Sequence, residues 1–270
     1  DEDFIGGDSG RFAELAERIR AKMERGEISP NMNFFVSVKP ADLLRESNRR
    51  AIRRFMDCGL KELFVGLESG CEAQLKRYCK CTTVKTNALA IERLRELEKD
   101  GLAIDIGFIF FDDLMTPDDI EENIRFIEAH GLSSLASSLI KPLRIQPFTE
   151  SLARAAGVRA NEFLLDDLMY PYRFANDTVE RVWRTYSELE LESAAHRLQS
   201  VYRRELSSDA ERETAARNLK ELRALQFSAL KDIAACLIRR EISETQLKSR
   251  LDAVLSRAGR LLETLSPMFP

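Results

Sequence analysis

The sequence lacks long apolar runs, an excess of basic residues and all but two histidines. No apolar run reaches the ~20 residues of a membrane-spanning helix, which argues against a membrane partner. Lysine and arginine number 41 against 45 aspartates and glutamates, and the net charge of −4 argues against a nucleic-acid partner. His130 and His196 fall within helical patterns, which favours surface or packing roles over catalysis.

Cysteine is also scarce. Five cysteines in 270 residues, an odd number, favour reduced thiols in a cytoplasmic protein over a disulfide framework. Three of them, Cys71, Cys79 and Cys81, follow one another in the segment FVGLESGCEAQLKRYCKCTT. Seven residues separate the first two and one separates the last two, which does not match one tight metal-binding loop. We therefore interpret them as incidental thiols and assign no metal ligand.

What the chain does contain is an alternation of strand-like and helix-like patterns over its first two-thirds. A repeat of roughly 30–40 residues predicts parallel βα units. Four strands, or five if the opening residues end one, are too few for a closed eight-stranded barrel, so we predict an α/β fold with a partial, open parallel βα barrel. The β-rich runs lie at 34–38, 62–65, 103–111 and 139–145, and the helical patterns at 12–25, 42–58, 82–100 and 116–131.

The pattern changes after Tyr172. From 177 to 265 the chain carries amphipathic segments rich in Leu, Ala, Arg and Glu, with breaks near 207–209 and 241–243. These segments predict about four helices in an all-α C-terminal region. The predicted domains are a partial barrel over 1–176 and a helical domain or cap over 177–270.

Polar residues follow each predicted strand. Parallel sheets and barrels bind ligands at the carboxyl ends of their strands, so these residues are the candidates for a site. The glycine-flanked pair Glu68-Ser69 stands out, because Gly66 and Gly70 let a ligand approach the backbone closely. The candidates, in chain order, are Asp1, Asp3, Lys39, Glu68, Ser69, Asp112, Asp113 and Gln146.

Taken in order, these segments resemble the later part of a radical S-adenosylmethionine (radical SAM) enzyme. The resemblance is to the branch whose members often carry an N-terminal cobalamin-binding domain, and it runs from Asp1 to about Asn176. It rests on DEDF, on FMDCGLKELFVGLESGCEAQLKRYCKCTT, on GLAIDIGFIFFDDLMTPDDIEENIRFI and on LRIQPFTESLARAAG, four segments in the family's order. The second is similar to the family's AGC…ESGSE…TT segment.

The chain departs from the family in three places. The CxxxCxxC cluster motif is absent, and FDDLMT replaces the usual glycine-proline-glycine turn. The glycine of the last motif is either replaced by Glu150 or lost nearby. The chain also opens DEDFIGG without a methionine. We therefore expect a chain whose first part, with the cluster loop, is not included.

The resemblance implies a binding site for S-adenosylmethionine. Asp1 or Asp3 would accept a hydrogen bond from its ammonium group, and Lys39 would pair with its carboxylate. Glu68 and Ser69 would bind the ribose hydroxyls. Gln146 would contact the adenine. Simpler roles compete: Asp3 as a helix cap, Lys39 as a solvated charge, and Asp112 and Asp113 as turn residues. No catalytic residue is assigned.

The resemblance also implies a reaction. A [4Fe–4S] cluster, with ligands outside this chain, would cleave S-adenosylmethionine to a 5′-deoxyadenosyl radical that abstracts hydrogen from a small-molecule or peptide substrate. Cobalamin-dependent methylation or rearrangement would follow in some members, with flavodoxin or ferredoxin as electron donor. Two alternatives stay open: a degenerate barrel that binds a ligand or partner without chemistry, and an unrelated α/β domain with a helical interaction module.

Overall fold

The structure is a computed structural model of the 270-residue chain. It describes residues 4–5, 9–135, 141–147, 163–165, 168–203 and 209–264. The backbone divides into two compact units, Asp1–Phe108 and Ile109–Pro270. Within the described ranges, no helix is both long and apolar enough to cross a membrane.

The first unit is a parallel sheet with helices between its strands. β1 pairs with β2 and β2 with β3, both in parallel, which confirms the predicted βα units. The strand β3 continues into the second unit from Ile109. The elements are α1 (Ser9–Glu24), β1 (Phe34–Val38), α2 (Pro40–Leu43), α3 (Glu46–Met56), β2 (Leu60–Glu68), α4 (Glu72–Arg77), α5 (Val84–Lys99) and β3 (Ala103–Phe111).

The two faces of β2 differ because successive strand residues point to opposite sides. Leu63, Val65 and Leu67 are fully buried on one face, and α2 and α3 pack against this strand. Phe64, which is 36% exposed, lies on the other face. The apolar face anchors the strand, so its polar end at Glu68 is held in a fixed position.

A cluster of phenylalanines fixes α1 to the sheet. The ring of Phe12 lies 5.0 Å from that of Phe55 in α3 and 5.3 Å from that of Phe4. Phe34 in β1 lies 5.2 Å from Phe55. Burying aromatic rings in this way stabilises the unit by ~1.5–3 kcal/mol for each side chain.

The predicted helix over 42–58 is wrong in its length, since the structure has α2 and α3 there. Buried side chains end α2: Asn48 Nδ2 donates to the carbonyl oxygen of Asp42 at 2.9 Å, and Arg49 Nη1 donates to that of Leu43 at 2.6 Å. These bonds satisfy carbonyls that a continuous helix would have paired internally.

The second unit combines the end of the sheet with helices. The end of β3 pairs in parallel with β4. α6 begins where the helical pattern over 116–131 predicted, with Thr116 as its N-cap, a capping box completed by Asp119, and Pro117 in the first turn. The elements that begin in this unit are α6 (Pro117–Ala129), β4 (Lys141–Pro142), α7 (Asp177–Ser187), α8 (Leu191–Arg203), α9 (Asp209–Leu237) and α10 (Glu244–Glu263).

The helical C-terminal region agrees with the sequence expectation. α7, α8 and α10 all pack on α9, which is the longest of the four. The α/β class and the parallel strands followed by helices are therefore confirmed. The division into domains at 1–176 and 177–270 stays a prediction, although α7 begins at Asp177.

Candidate functional site

Glu68 ends β2 in a conformation that is rare for a residue with a side chain. Its φ is 65°, in the left-handed region that favours glycine. The N–H of Ser69 donates to the carbonyl oxygen of Leu67 at 2.8 Å, which closes a tight three-residue turn around Glu68. Such backbone strain persists only where surrounding contacts hold it, and it concentrates at functional sites.

Buried polar side chains hold this turn in place. Asn87 in α5 is fully buried, and its Nδ2 donates to the carbonyl oxygens of Leu67 at 2.7 Å and Ser69 at 3.0 Å. The Ser69 hydroxyl donates to Gln74 Oε1 at 2.6 Å and accepts from the Cys71 N–H at 2.9 Å. The structure therefore shows Ser69 fully buried in support of the turn, and its binding to ribose stays a prediction.

The Glu68 carboxylate has one protein partner among the residues that the structure describes. Its Oε1 accepts from Lys80 Nζ at 3.0 Å, with the Glu68 side chain 20% exposed and that of Lys80 46% exposed. The same oxygen would lie 2.8 Å from a Cβ at position 66, so Gly66 leaves room for the carboxylate. The pairing occupies Oε1, so among the residues with described positions Oε2 remains available to accept from a ligand hydroxyl.

A second glycine shapes the face of the sheet beside Glu68. Gly66 and Gly107 pair directly across β2 and β3. A Cβ at Gly107 would lie 2.4 Å from Cζ of Phe64, so the ring lies over this glycine. This face carries an aromatic ring and a carboxylate side by side, which are groups that can contact the base and the sugar of a nucleoside.

Four further residues predicted for the S-adenosylmethionine site are either exposed or outside the described residues. Lys39 is exposed directly after β1. Gln146 is exposed after the buried Ile145 in the second unit. Asp1 and Asp3 lie outside the described residues. The roles predicted for these four residues stay predictions.

No metal centre is evident in the described part of the chain. It contains no group of three or more His, Cys, Asp or Glu residues that could hold a metal ion. Cys71 is buried, whereas Cys79 and Cys81 are exposed.

The second unit holds a buried acidic turn at the end of β3. Asp112 is 1% exposed and its Oδ1 accepts from the N–H of Leu114 at 2.9 Å, in keeping with the turn role considered for it. Burial, reinforced by the charges of Asp113 and Asp112, raises the pKa of Tyr172 well above its usual value. The Tyr172 hydroxyl is therefore neutral near pH 7 and can donate a hydrogen bond.

Comparison with known proteins places this geometry in context. No protein-family model matches the chain. Over 158 residues, 55% of this chain, it is 31% identical to the 4'-phospho-dehydrooxetanocin synthase of Priestia megaterium, of which it covers 20%. In fold it is similar to the cobalamin-dependent S-adenosylmethionine radical enzyme OxsB with aqua-cobalamin bound, with a TM-score of 0.71 and 17% identity over 98% of this chain and 47% of that one. The chain is therefore similar in sequence, over about half its length, to this synthase, and similar in fold to a cobalamin-dependent S-adenosylmethionine radical enzyme.

A second solved form of the same enzyme is also similar in fold to this chain. OxsB with aqua-cobalamin and S-adenosylmethionine bound gives a TM-score of 0.66 at 17% identity, over 98% of this chain and 46% of that one. The chain therefore spans about half the length of the radical SAM structures that it matches. It spans a fifth of the length of the curated relative.

Two residues of this candidate site were not predicted from the sequence. Lys80 and Asn87 reach Glu68 and its turn only because α4 and α5 bring the chain back past the end of β2. No motif or spacing in the sequence points to either contact.

Proposed function

We propose that the chain is the S-adenosylmethionine-binding part of a cobalamin-associated radical SAM enzyme. Glu68 carries the proposal: a carboxylate held in a strained turn at the carboxyl end of a parallel strand, with Oε1 bound to Lys80. In this role Oε2 accepts hydrogen bonds from the ribose hydroxyls. A carboxylate–hydroxyl bond of this kind contributes ~1.5–3 kcal/mol to binding.

The residues around Glu68 have positioning roles in this proposal. Lys80 fixes the rotamer of the carboxylate, and Asn87 holds the turn that aims it. Bound S-adenosylmethionine, with a [4Fe–4S] cluster held outside the described residues, would supply the radical that abstracts hydrogen from substrate. The substrate is a small molecule or a peptide, as the sequence resemblance implies. The name of the Priestia megaterium relative favours a phosphorylated small molecule.

Other partners follow from the resemblance. Cobalamin, which the OxsB structures contain, would bind to a part of the protein outside this chain, and flavodoxin or ferredoxin would supply the electron. Methylation or rearrangement of the substrate is the proposed outcome, in a cytoplasmic protein.

Anaerobic reconstitution of the full-length protein with iron and sulfide tests this function. We expect bound iron and, with a reductant, conversion of S-adenosylmethionine to 5′-deoxyadenosine. A CxxxCxxC motif upstream of Asp1 is expected in the full-length sequence. Binding of S-adenosylmethionine without turnover would contradict the enzymatic proposal and favour a non-catalytic barrel that binds a ligand or partner.

A further inference from the structure

Two exposed cysteines flank the lysine that pairs with Glu68. Cys79 and Cys81 lie on either side of Lys80, whose Nζ donates to Glu68 Oε1 at 3.0 Å. Both thiols are exposed and neither is in a disulfide, whereas Cys71 is buried. All of these residues belong to the first unit. The function proposed above makes no use of the two exposed thiols.

The turn after α4 brings the two cysteines close together. Two residues of fully extended chain span about 7 Å between Cα atoms, and a disulfide joins Cα atoms ~4.4–6.8 Å apart. The chain here is not extended, because the N–H of Cys79 donates to the carbonyl oxygen of Lys76 at 3.0 Å and that of Lys80 to the carbonyl oxygen of Leu75 at 3.3 Å. A disulfide between Cys79 and Cys81 can therefore form by rearrangement of this turn alone.

The Cys79 thiol lies against the end of α4. Its Sγ is 4.0 Å from the carbonyl oxygen of Arg77, the last residue of that helix. The φ of Cys79 is 53°, in the left-handed region that residues with a Cβ rarely adopt. A disulfide requires the two Cβ atoms to lie ~3.5–4.5 Å apart and closes a small ring that includes the backbone of Lys80. Closing this ring therefore changes the direction from which the lysine side chain leaves the backbone.

The charge around the pair favours a reaction with anionic disulfides. From 73 to 91 the chain has four cations and no Asp or Glu, although the net charge of the whole chain is −4. The cations are Lys76, Arg77, Lys80 and Lys85. A local excess of one charge raises the concentration of an oppositely charged reactant. Glutathione disulfide, which carries a net negative charge, is a reactant of this kind.

We propose that Cys79 and Cys81 form a thiol–disulfide exchange site whose oxidation withdraws Lys80 from Glu68. The oxidised protein binds S-adenosylmethionine more weakly, because the Glu68 carboxylate loses the partner that fixes its rotamer. The effect on binding rests on the function proposed above, whereas formation of the disulfide does not. The proposal gives two of the three clustered cysteines a role that their spacing did not indicate.

The oxidation proceeds in two exchange steps. The thiolate of one cysteine attacks a sulfur of glutathione disulfide, which forms a mixed disulfide and releases one glutathione thiolate. The thiolate of the second cysteine attacks the protein sulfur of the mixed disulfide and releases the second glutathione. Two protein thiols are oxidised, one glutathione disulfide is reduced, and the two thiol protons end on the two glutathione molecules. An exposed disulfide is readily reduced, so the change is reversible.

Anaerobic treatment of the full-length protein with excess glutathione disulfide tests formation of the bridge. The remaining thiols are alkylated and the protein is digested with trypsin, which cleaves after Arg77, Lys80 and Lys85. We expect mass spectrometry to find the peptides 78–80 and 81–85 joined, and to find them separate after treatment with dithiothreitol. Cys81→Ser should stop at the mixed disulfide on Cys79. The buried Cys71 is an internal control and should react at least tenfold more slowly.

Calorimetric titration with S-adenosylmethionine tests the effect on Glu68. We expect oxidation to weaken binding by the parent protein about threefold, since the ion pair that is lost is partly exposed. Lys80→Met should show the same weakening when reduced and no further change when oxidised, because it has no ion pair to lose. The double variant Cys79→Ser/Cys81→Ser should bind like the reduced parent under both conditions.

The two readouts separate this proposal from the proposed function. A reduced parent protein that does not bind S-adenosylmethionine would contradict the proposed function and the coupling to Glu68, whereas joined peptides would still establish the exchange site. The proposal is overturned if no joined peptides form, or if the disulfide forms and the affinity of the parent is unchanged. Equal weakening of the parent and Lys80→Met by oxidation would also overturn it, because the disulfide would then not act through the lysine.

Discussion

The strained conformation of Glu68 predicts that two substitutions at this position weaken ligand binding equally but differ in their effect on stability. Glu68→Ala and Glu68→Gly both remove the carboxylate and its pairing with Lys80, so those losses cancel in a comparison of the two. They differ in the backbone, since a φ of 65° costs a residue with a Cβ ~1–2 kcal/mol and glycine almost nothing. Glycine gains ~0.4–1 kcal/mol more freedom than alanine on unfolding, which offsets part of this difference.

We therefore expect the glycine variant to be more stable than the alanine variant by about 1 kcal/mol, or ~2–4 °C in melting temperature. Thermal unfolding followed by circular dichroism on the full-length protein measures the difference. Both variants should lose affinity for S-adenosylmethionine equally. An alanine variant at least as stable as the glycine variant would refute the argument that this turn is strained.

Three further substitutions test the contacts around the site and within the second unit. Asn87→Ala should lower the free energy of unfolding by ~2–3 kcal/mol, because it removes two buried hydrogen bonds that hold the turn; a loss below 0.5 kcal/mol in urea unfolding would contradict this. Gly107→Ala should lower the free energy of unfolding by ~1–2 kcal/mol, because the added methyl group displaces the ring of Phe64. Adding Phe64→Leu should restore at least half of that loss, and a double variant as unstable as Gly107→Ala would show that the ring is not the obstacle. Arg239→Met should lower the free energy of unfolding by ~1–2 kcal/mol, because Arg239 Nη1 donates to both carboxylate oxygens of Glu121 in α6 at 2.8 and 3.0 Å. Arg184 is exposed, so Arg184→Met should change this free energy by less than ~0.5 kcal/mol, and equal effects of the two substitutions would contradict the prediction.

Some elements could be predicted from the sequence because their signals are local. The strand Ala103–Phe111 has the predicted bounds, since its apolar run ends at the polar Asp112-Asp113 pair. The start of α6 was also predicted, because a proline at the first helical position followed by acidic residues in the first turn is a local signal. Signals of this kind need no knowledge of the rest of the fold.

Other features depend on contacts between distant residues and could not be predicted. The break between α2 and α3 comes from buried side-chain bonds to helix carbonyls, which apolar periodicity does not register. The glycine-flanked GLESG segment pointed to Glu68, but a positive φ at the glutamate itself has no sequence signature. The packing of Phe111, Phe174 and Trp183 brings together rings from three separate parts of the chain, and none of these parts alone predicts it.

The affinity of the full-length protein for S-adenosylmethionine, measured for the parent and for Glu68→Gln, tests the central claim most directly. Glutamine keeps the size of the side chain and removes its charge, so we expect binding to weaken at least tenfold, which corresponds to ~1.4 kcal/mol. Lys80→Met, which removes only the partner of Oε1, should have a smaller effect. Unchanged affinity in Glu68→Gln would contradict the role proposed for this carboxylate.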